Sequence, residues 1–333
     1  MQLKKGFVLA LVTVFLLNAS FALVDIPRAG AQPPASGDWV ITAAETVTGG
    51  SYEVTNGNII VRDGGNLVLD GTTIIMNRTG GPTRSVDVQR GGSLTLRNGA
   101  ILRAIVPDRL YYFYVRLGAN LTMTDSQVYD VGDMWGNFQN VGMYLASSSV
   151  LIDKCVISHG GYGIAIEDAS PVITNSTLWN NSATAITVDG GAPVIAFNNI
   201  SDNGFAGAWW TARTGIILTN TNATVSFNLL NHNGWNGGNG GNGISVSTSN
   251  VTIDNNTITD NSGTGIVVDN HSSGTLADNN IGFNPAGGIF IYDHSDVAVL
   301  NNRVLCLNSQ SFYTTGVCTP FVRGLASILV MLQ

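Results

Sequence analysis

Charge is what this sequence has least of. Asp, Glu, Lys and Arg make up 11% of its 333 residues, under half of the roughly 25% usual in soluble domains. Lysine is confined to Lys4, Lys5 and Lys154, and the formal net charge is −7. The basic footprint of a nucleic-acid binder is therefore missing. Cysteine is scarce as well, with Cys155, Cys306 and Cys318 only and no C-x-x-C or Cys/His spacing for zinc. Cys306 and Cys318, twelve residues apart, could close a disulfide loop in an oxidising compartment. Helical periodicity is absent from the body of the chain, and its polar surface must be built from Asn, Ser, Thr and the 40 glycines.

Long apolar runs are missing except at the N-terminus. There Lys4 and Lys5 precede an apolar run from Phe7 to Leu17, with small-x-small sites at Ser20–Ala22 and Ala29–Ala31. Residues 1–31 read as a secretory signal peptide or, uncleaved, as an N-terminal anchor long enough to reach across a bilayer. Either reading puts the body outside the cytoplasm, secreted or on the cell surface, with membrane contact only through this segment. The C-terminal stretch 324–333 is too short to span a membrane and reads as part of a cap over residues 309–333.

What is there is a repeat. GIAIEDASPVITNSTLWNN (163–181), GISVSTSNVTIDNNTITDN (243–261) and GIVVDNHSSGTLADNNIGFN (265–284) share one layout. Each has a short apolar strand, a polar corner, a second strand, an Asn-rich corner, one apolar residue and a loop. Three apolar columns follow through ten rungs over 59–308. Column one starts at Ile60, Val86 and Phe113 and ends at Ile266 and Ile289. Column two starts at Leu69 and Leu96, nine or ten residues later, and column three lies five residues further on, starting at Ile74, Ile101 and Val128. The position three after column two runs Thr72, Gly99, Ser126, Cys155, Ser176, then Asn198, Asn228, Asn256, Asn279 and Asn302. Stacked Asn amides bond along such a column and tolerate a tight corner, and Cys155 is a packing residue within it.

Period-two alternation gives each strand one apolar face that a single rung cannot bury. Stacking the rungs buries it. The fold class expected is therefore all-β: a right-handed, single-stranded parallel β-helix, a three-sheet solenoid of about ten rungs. Residues 32–58 form its N-terminal cap and first coil.

The N-x-x-I…N…GI units resemble the parallel β-helix repeats of pectate-lyase-like proteins and of many archaeal and bacterial surface proteins, and residues 37–77 are similar to their first coils. That resemblance covers roughly 37–308. It implies the fold, but spans lyases, hydrolases, epimerases, adhesins and accessory proteins. The pectate-lyase W-x-D-H and R-x-P-x-x-R signatures are missing, as are the N-T-D and D-D of polygalacturonases. Ser158-His159-Gly160-Gly161 is the nearest approach to their G-H-G, and Tyr292-Asp293-His294 a loose echo of the epimerase D-P-H.

Loop lengths carry further information. From column three to the next column one the gaps are 12, 12, 15, 7, 8, 16, 14, 8 and 8 residues. Long loops on rungs three, six and seven should therefore wall a notch over rungs four and five. Trp135 and Phe138 lie on the first of these loops, Phe205, Trp209 and Trp210 on the second, and Trp235 on the third, with Tyr162 and Trp179 on the floor. Rings so placed are what sugar faces stack on, which makes Trp135, Tyr162, Trp179, Trp209, Trp210 and Trp235 candidates for carbohydrate binding. The same rings could instead bury the undersides of their own loops. Polar candidates for acid–base work are Asp130, Asp133, Asp202, His159 and His232, with Arg213 to stabilise negative charge. Asp269, His271, Asp293 and His294 on adjacent rungs are candidate metal ligands, and Glu167, Asp168 and Asp189 form an acidic edge of the kind that binds calcium weakly. Each of these sets also fits a plain solvated corner.

The stretch GGNGGNG (237–243) contains G-x-G-x-x-G, but a strand follows it and no helix, so it is loop rather than a nucleotide site. Asn-x-Ser/Thr sequons occur at Asn77, Asn120, Asn175, Asn180, Asn199, Asn222, Asn250, Asn255 and Asn270. The first functional expectation is a non-catalytic secreted or surface protein, carbohydrate-binding, adhesive or structural, whose partner is a polysaccharide or cell-surface glycan. A polysaccharide lyase, hydrolase or epimerase with its groove at rungs four to five is the alternative. A metal-handling accessory protein is a weaker one.

Overall fold

The computed structural model describes residues 32–107, 110–133, 135–205, 213–234 and 241–305, together with the backbone of a short strand at Phe321–Val322. Each coil contributes three strands, and each strand lies parallel to its counterparts in the coils before and after it. A first sheet of twelve strands begins at Trp39–Ile41, a second of eleven at Ala44–Thr48 and a third of eleven at Ser51–Thr55. The result is a right-handed parallel β-helix. Among the described residues there is no helix.

The strands form because alternate side chains are branched or aromatic apolar residues, and they stack because those side chains need cover. Ile164, Ile186, Ile216, Ile244 and Ile266 pair in one register down the first sheet, and all are fully buried. One continuous apolar core runs from Trp39 to Val299. Burial of each such side chain is worth roughly 1.5–3 kcal/mol.

Two rungs depart from the expected spacing by one residue. Ile59, not Ile60, pairs with Val86 and points inward. Leu102, not Ile101, follows Ile74 in column three. The second shift has a clear cause. Asn98 and Gly99 both take positive φ, so this corner holds one extra residue, and Ala100 rather than Gly99 fills the small-residue column.

The corners pose the main physical problem, because the chain turns there and a backbone N–H loses its carbonyl partner in the next strand. Asparagine supplies the replacement. Asn198, Asn228, Asn256, Asn279 and Asn302 are stacked, and each Nδ2 donates to the next Oδ1 at 2.8–3.0 Å. Each backbone N–H also donates to the next Oδ1, and the second amide hydrogen reaches a carbonyl such as that of Ile195. A second ladder, absent from the sequence reading, crosses the next corner: Asn181, Asn203, Asn233, Asn261 and Asn284, bonded at 2.8–3.1 Å. At the remaining corner hydroxyls do the same work, with Ser249, Ser272 and Ser295 accepting backbone N–H groups.

Asn228 lies mid-ladder and is buried. Its replacement by Ala strips partners from the Asn198 N–H groups and from the Ile195 carbonyl. Asn228→Ala should cost about 2–4 kcal/mol, read as a lowered urea midpoint. A loss under 0.5 kcal/mol would show that the ladder is ornamental.

Candidate functional site

From rung three onward, the corner after the third sheet places one residue per rung in the left-handed region, and its occupants are Asp130, His159, Asn180, Asp202, His232, Asp260 and Phe283, at φ between 53° and 62°. Asn, Asp and His are the residue types this backbone tolerates best. Their recurrence here thus has a conformational cause before any chemical one. Among these His159 lines a concave surface.

That surface is a groove with a cavity volume of about 320 Å³, lined by Pro107, Leu110, Asp133, His159, Gly160, Gly161, Ser182 and Phe205. Its floor is tied to the asparagine ladder. Asn181 Oδ1 accepts the Gly160 N–H at 3.1 Å, and the Ser182 and Ala183 N–H groups donate to the carbonyls of Gly160 and Gly161. A Cβ on Gly160 would lie 2.5 Å from the Val131 carbonyl oxygen, so only glycine fits. The wall carrying Asp133 is held by its own N–H on the Asn140 carbonyl at 2.7 Å, while Asn140 Oδ1 accepts from the Tyr114 hydroxyl at 2.7 Å. Asp133 also accepts the Trp135 N–H.

His159 joins the groove to the outer face of the third sheet. Its ring meets Trp179 edge-on with centroids 5.2 Å apart, and Tyr129 at 6.1 Å. Nδ1 lies 2.8 Å from Ser158 Oγ. Tyr129, Ser158 and Trp179 are register partners on consecutive rungs, so rings and hydroxyls recur along the rod. Beside His159, Asp130 is buried at 6% exposure. Burial raises its carboxyl above the usual range, against the opposing pull of the Ala104 backbone bond and of the His159 and Arg103 charges. The Tyr129 hydroxyl is pushed up too, by burial and then by Asp130. The arrangement offers one carboxyl inclined to hold its proton, an imidazole, the Asp133 carboxylate and stacking surfaces.

Other candidates lie elsewhere. Trp135 is 55% exposed on the wall and does not line the groove; Tyr162 is half-buried, and burial raises its hydroxyl. Asp202 and His232 are exposed on rungs six and seven. Arg213, expected to face the notch, is buried, with its stem packed against Gly204. Trp209, Trp210, Trp235, Cys306 and Cys318 lie outside the described residues. The groove residues absent from the sequence reading are Pro107, Leu110 and Ser182, which carry no motif; the Asn181 ladder that supports them was legible as Asn three places after column three.

The metal candidates do not converge. His271 and His294 stack ring on ring at 5.4 Å, and Asp269 accepts from Asn270. Among the described residues no three His, Cys, Asp or Glu side chains come together around one point. On the acidic edge Glu167 accepts from the Tyr144 hydroxyl and Asp189 from Asn220. Cys155 is a buried free thiol, pushed up to about 12 by burial, and unsuited to nucleophilic work.

The family model described as right handed beta helix region matches residues 111–238 and 208–324. The chain belongs to the right-handed beta helix family. A search of curated proteins finds no match. Among solved structures, this β-helix protein is similar to a periplasmic alginate epimerase, at 12% identity and a TM-score of 0.52 over 87% of this chain and 77% of that one. It is also similar to the A-module of the Azotobacter vinelandii mannuronan C-5 epimerase, at 19% identity and a TM-score of 0.48 over 78% of this chain and 68% of that one. At such identities the likeness is one of fold.

The raised Asp130 carboxyl has a consequence for stability. A group whose folded pKa is raised contributes stability below its unfolded pKa, and that contribution fades as pH rises through the folded value. Asp130→Asn, which imitates the protonated acid and suits the left-handed backbone, should therefore melt higher than the parent at neutral pH. The gap should close as pH falls to about 4 and below. Melting temperatures across that range decide it, and a gap independent of pH would contradict the assignment.

Proposed function

We propose that this β-helix protein is an extracytoplasmic polysaccharide-binding protein whose glycan occupies the groove beside His159 and rests on the rings of Tyr129 and Trp179. The observation that carries the reading is the aromatic row. Tyr129, His159 and Trp179 follow one another on rungs three to five, with Trp179 38% exposed, at the edge of a groove walled by Phe205. Pyranose C–H faces stack on such rings, and Asp133, Ser182 and the imidazole supply hydrogen bonds to hydroxyls.

Charge narrows the glycan. Asp133 and His159 are the titratable side chains among the described lining residues, and no Arg or Lys is among them. A neutral polysaccharide suits that lining better than a polyuronate, whose carboxylates would face Asp133. A catalytic reading has one observation of its own: the buried Asp130 carboxyl, raised toward protonation, lies beside an imidazole, which is the division of labour that acid–base catalysis uses.

Titration calorimetry against neutral glucans, mannans and alginate tests both. Trp179→Ala should weaken binding of a neutral glycan at least tenfold, about 1.4 kcal/mol, whereas Asp202→Ala should leave it unchanged. Equal binding by the Trp179→Ala variant would sink the groove assignment. Turnover of a glycan that Asp130→Asn abolishes would replace binding with catalysis.

A further inference from the structure

The corner between the second and third sheets also holds one left-handed residue per rung. In order, from rung three, these are Asp125, Lys154, Asn175, Phe197, Phe227, Asn255, Asp278 and Asn301, at φ between 47° and 61°. Backbone bonds connect them as direct neighbours: Asn175 N–H to the Ala196 carbonyl, Phe197 N–H to that of Ser226, and Phe227 N–H to that of Asp254. Lys, Asn and Asp are ordinary surface residues here. Two phenylalanines are not, because a bulky side chain in the left-handed region is disfavoured and a phenyl ring gains nothing from water.

The two rings are parallel within 4°, with centroids 4.9 Å apart, which is the rung spacing, so their planes lie across the rod. Each covers the other's inner face. Phe197 remains 44% exposed. The outer face of Phe197 is turned toward the rung of Asn175, and that of Phe227 toward the rung of Asn255. Both neighbours head sequons, Asn175-Ser176-Thr177 and Asn255-Asn256-Thr257. Among the sequons of the described residues these are the two whose column neighbour is a phenyl ring.

We propose that Asn175 is an N-glycosylation site whose first sugar stacks on the open face of Phe197, and that Asn255 and Phe227 form the matching pair on the other side. The transfer requires the extracytoplasmic route and a lipid-phosphate-linked oligosaccharide donor. The Asn175 Nδ2 bonds to the anomeric carbon, the bond from that carbon to the phosphate oxygen breaks, and the lipid phosphate departs with the electron pair as Nδ2 sheds one proton. The side chain is prepared for this. Nδ2 of Asn175 spends one hydrogen on Asp153 Oδ1 at 2.6 Å, and Nδ2 of Asn255 spends one on Asp254 Oδ2 at 2.7 Å. The modified amide keeps one hydrogen, so each bond survives and fixes the direction in which the sugar leaves. A pyranose face then covers a ring that is otherwise left to solvent.

The full chain secreted from an N-glycosylating host provides the test. Glycopeptide mass spectrometry should find Asn175 occupied. Thr177→Val, which removes the sequon and keeps the αL asparagine, should lower the melting temperature by roughly 1–3 °C. In a Phe197→Asn background, which suits the left-handed corner and so folds, Asn175 should remain occupied and Thr177→Val should cost nothing further. Asn175 found bare, whether other sequons such as Asn222 are occupied or not, overturns the site. An equal loss from Thr177→Val with and without the Phe197 ring overturns the stacking.

Discussion

The corner N–H group is the constraint from which this structure follows. Between corners, parallel strands satisfy one another and the apolar columns bury themselves. At a corner the backbone turns away from its partner, and a buried N–H without an acceptor costs about as much as a helix or strand bond contributes. The stacked amides of Asn198 to Asn302 and Asn181 to Asn284 remove that cost at two corners, and the Ser249–Ser295 hydroxyls remove it at the third. A charged side chain would bring a desolvation penalty into these columns, which keeps charge out of them.

The same device positions the groove. Asn181 begins the inner ladder, and its Oδ1 holds the Gly160 N–H that forms the floor. Above it the rung-three loop replaces the ladder with Asp133, Trp135 and Asn140, tied to the first sheet through Tyr114. The groove thus lies where the regular pattern stops, with stacked coils below and a loop wall above.

The left-handed corner residues explain why polar candidates were plentiful in the sequence. Asp130, His159, Asp202, His232, His271 and His294 all take positive φ, a conformation that favours their residue types before any chemistry does. A motif search that ignores this finds catalytic histidines and metal ligands at every corner. Burial separates them: Asp130 is enclosed beside His159, while Asp202 and His232 face solvent. The Phe197–Phe227 pair is informative for the opposite reason, since the backbone there does not select phenylalanine.

The sequence by itself determined the solenoid, because an apolar side chain at fixed spacing through successive rungs has no other way to be buried. It also determined the outer Asn ladder and the corner from which the long loops leave. It misplaced Ile60 by one position, and Ile101 and Gly99 as well, the latter two because an extra left-handed residue at Asn98–Gly99 is invisible to spacing. Only the tertiary structure decided which loop residues converge. Pro107, Ser182 and Phe205 come from different rungs and meet through stacking, while Arg213, a candidate for the same notch in sequence, is buried against Gly204. Periodic burial is a local property repeated many times and can be read from one chain; the meeting of loops depends on the three-dimensional path between repeats, which no local pattern records.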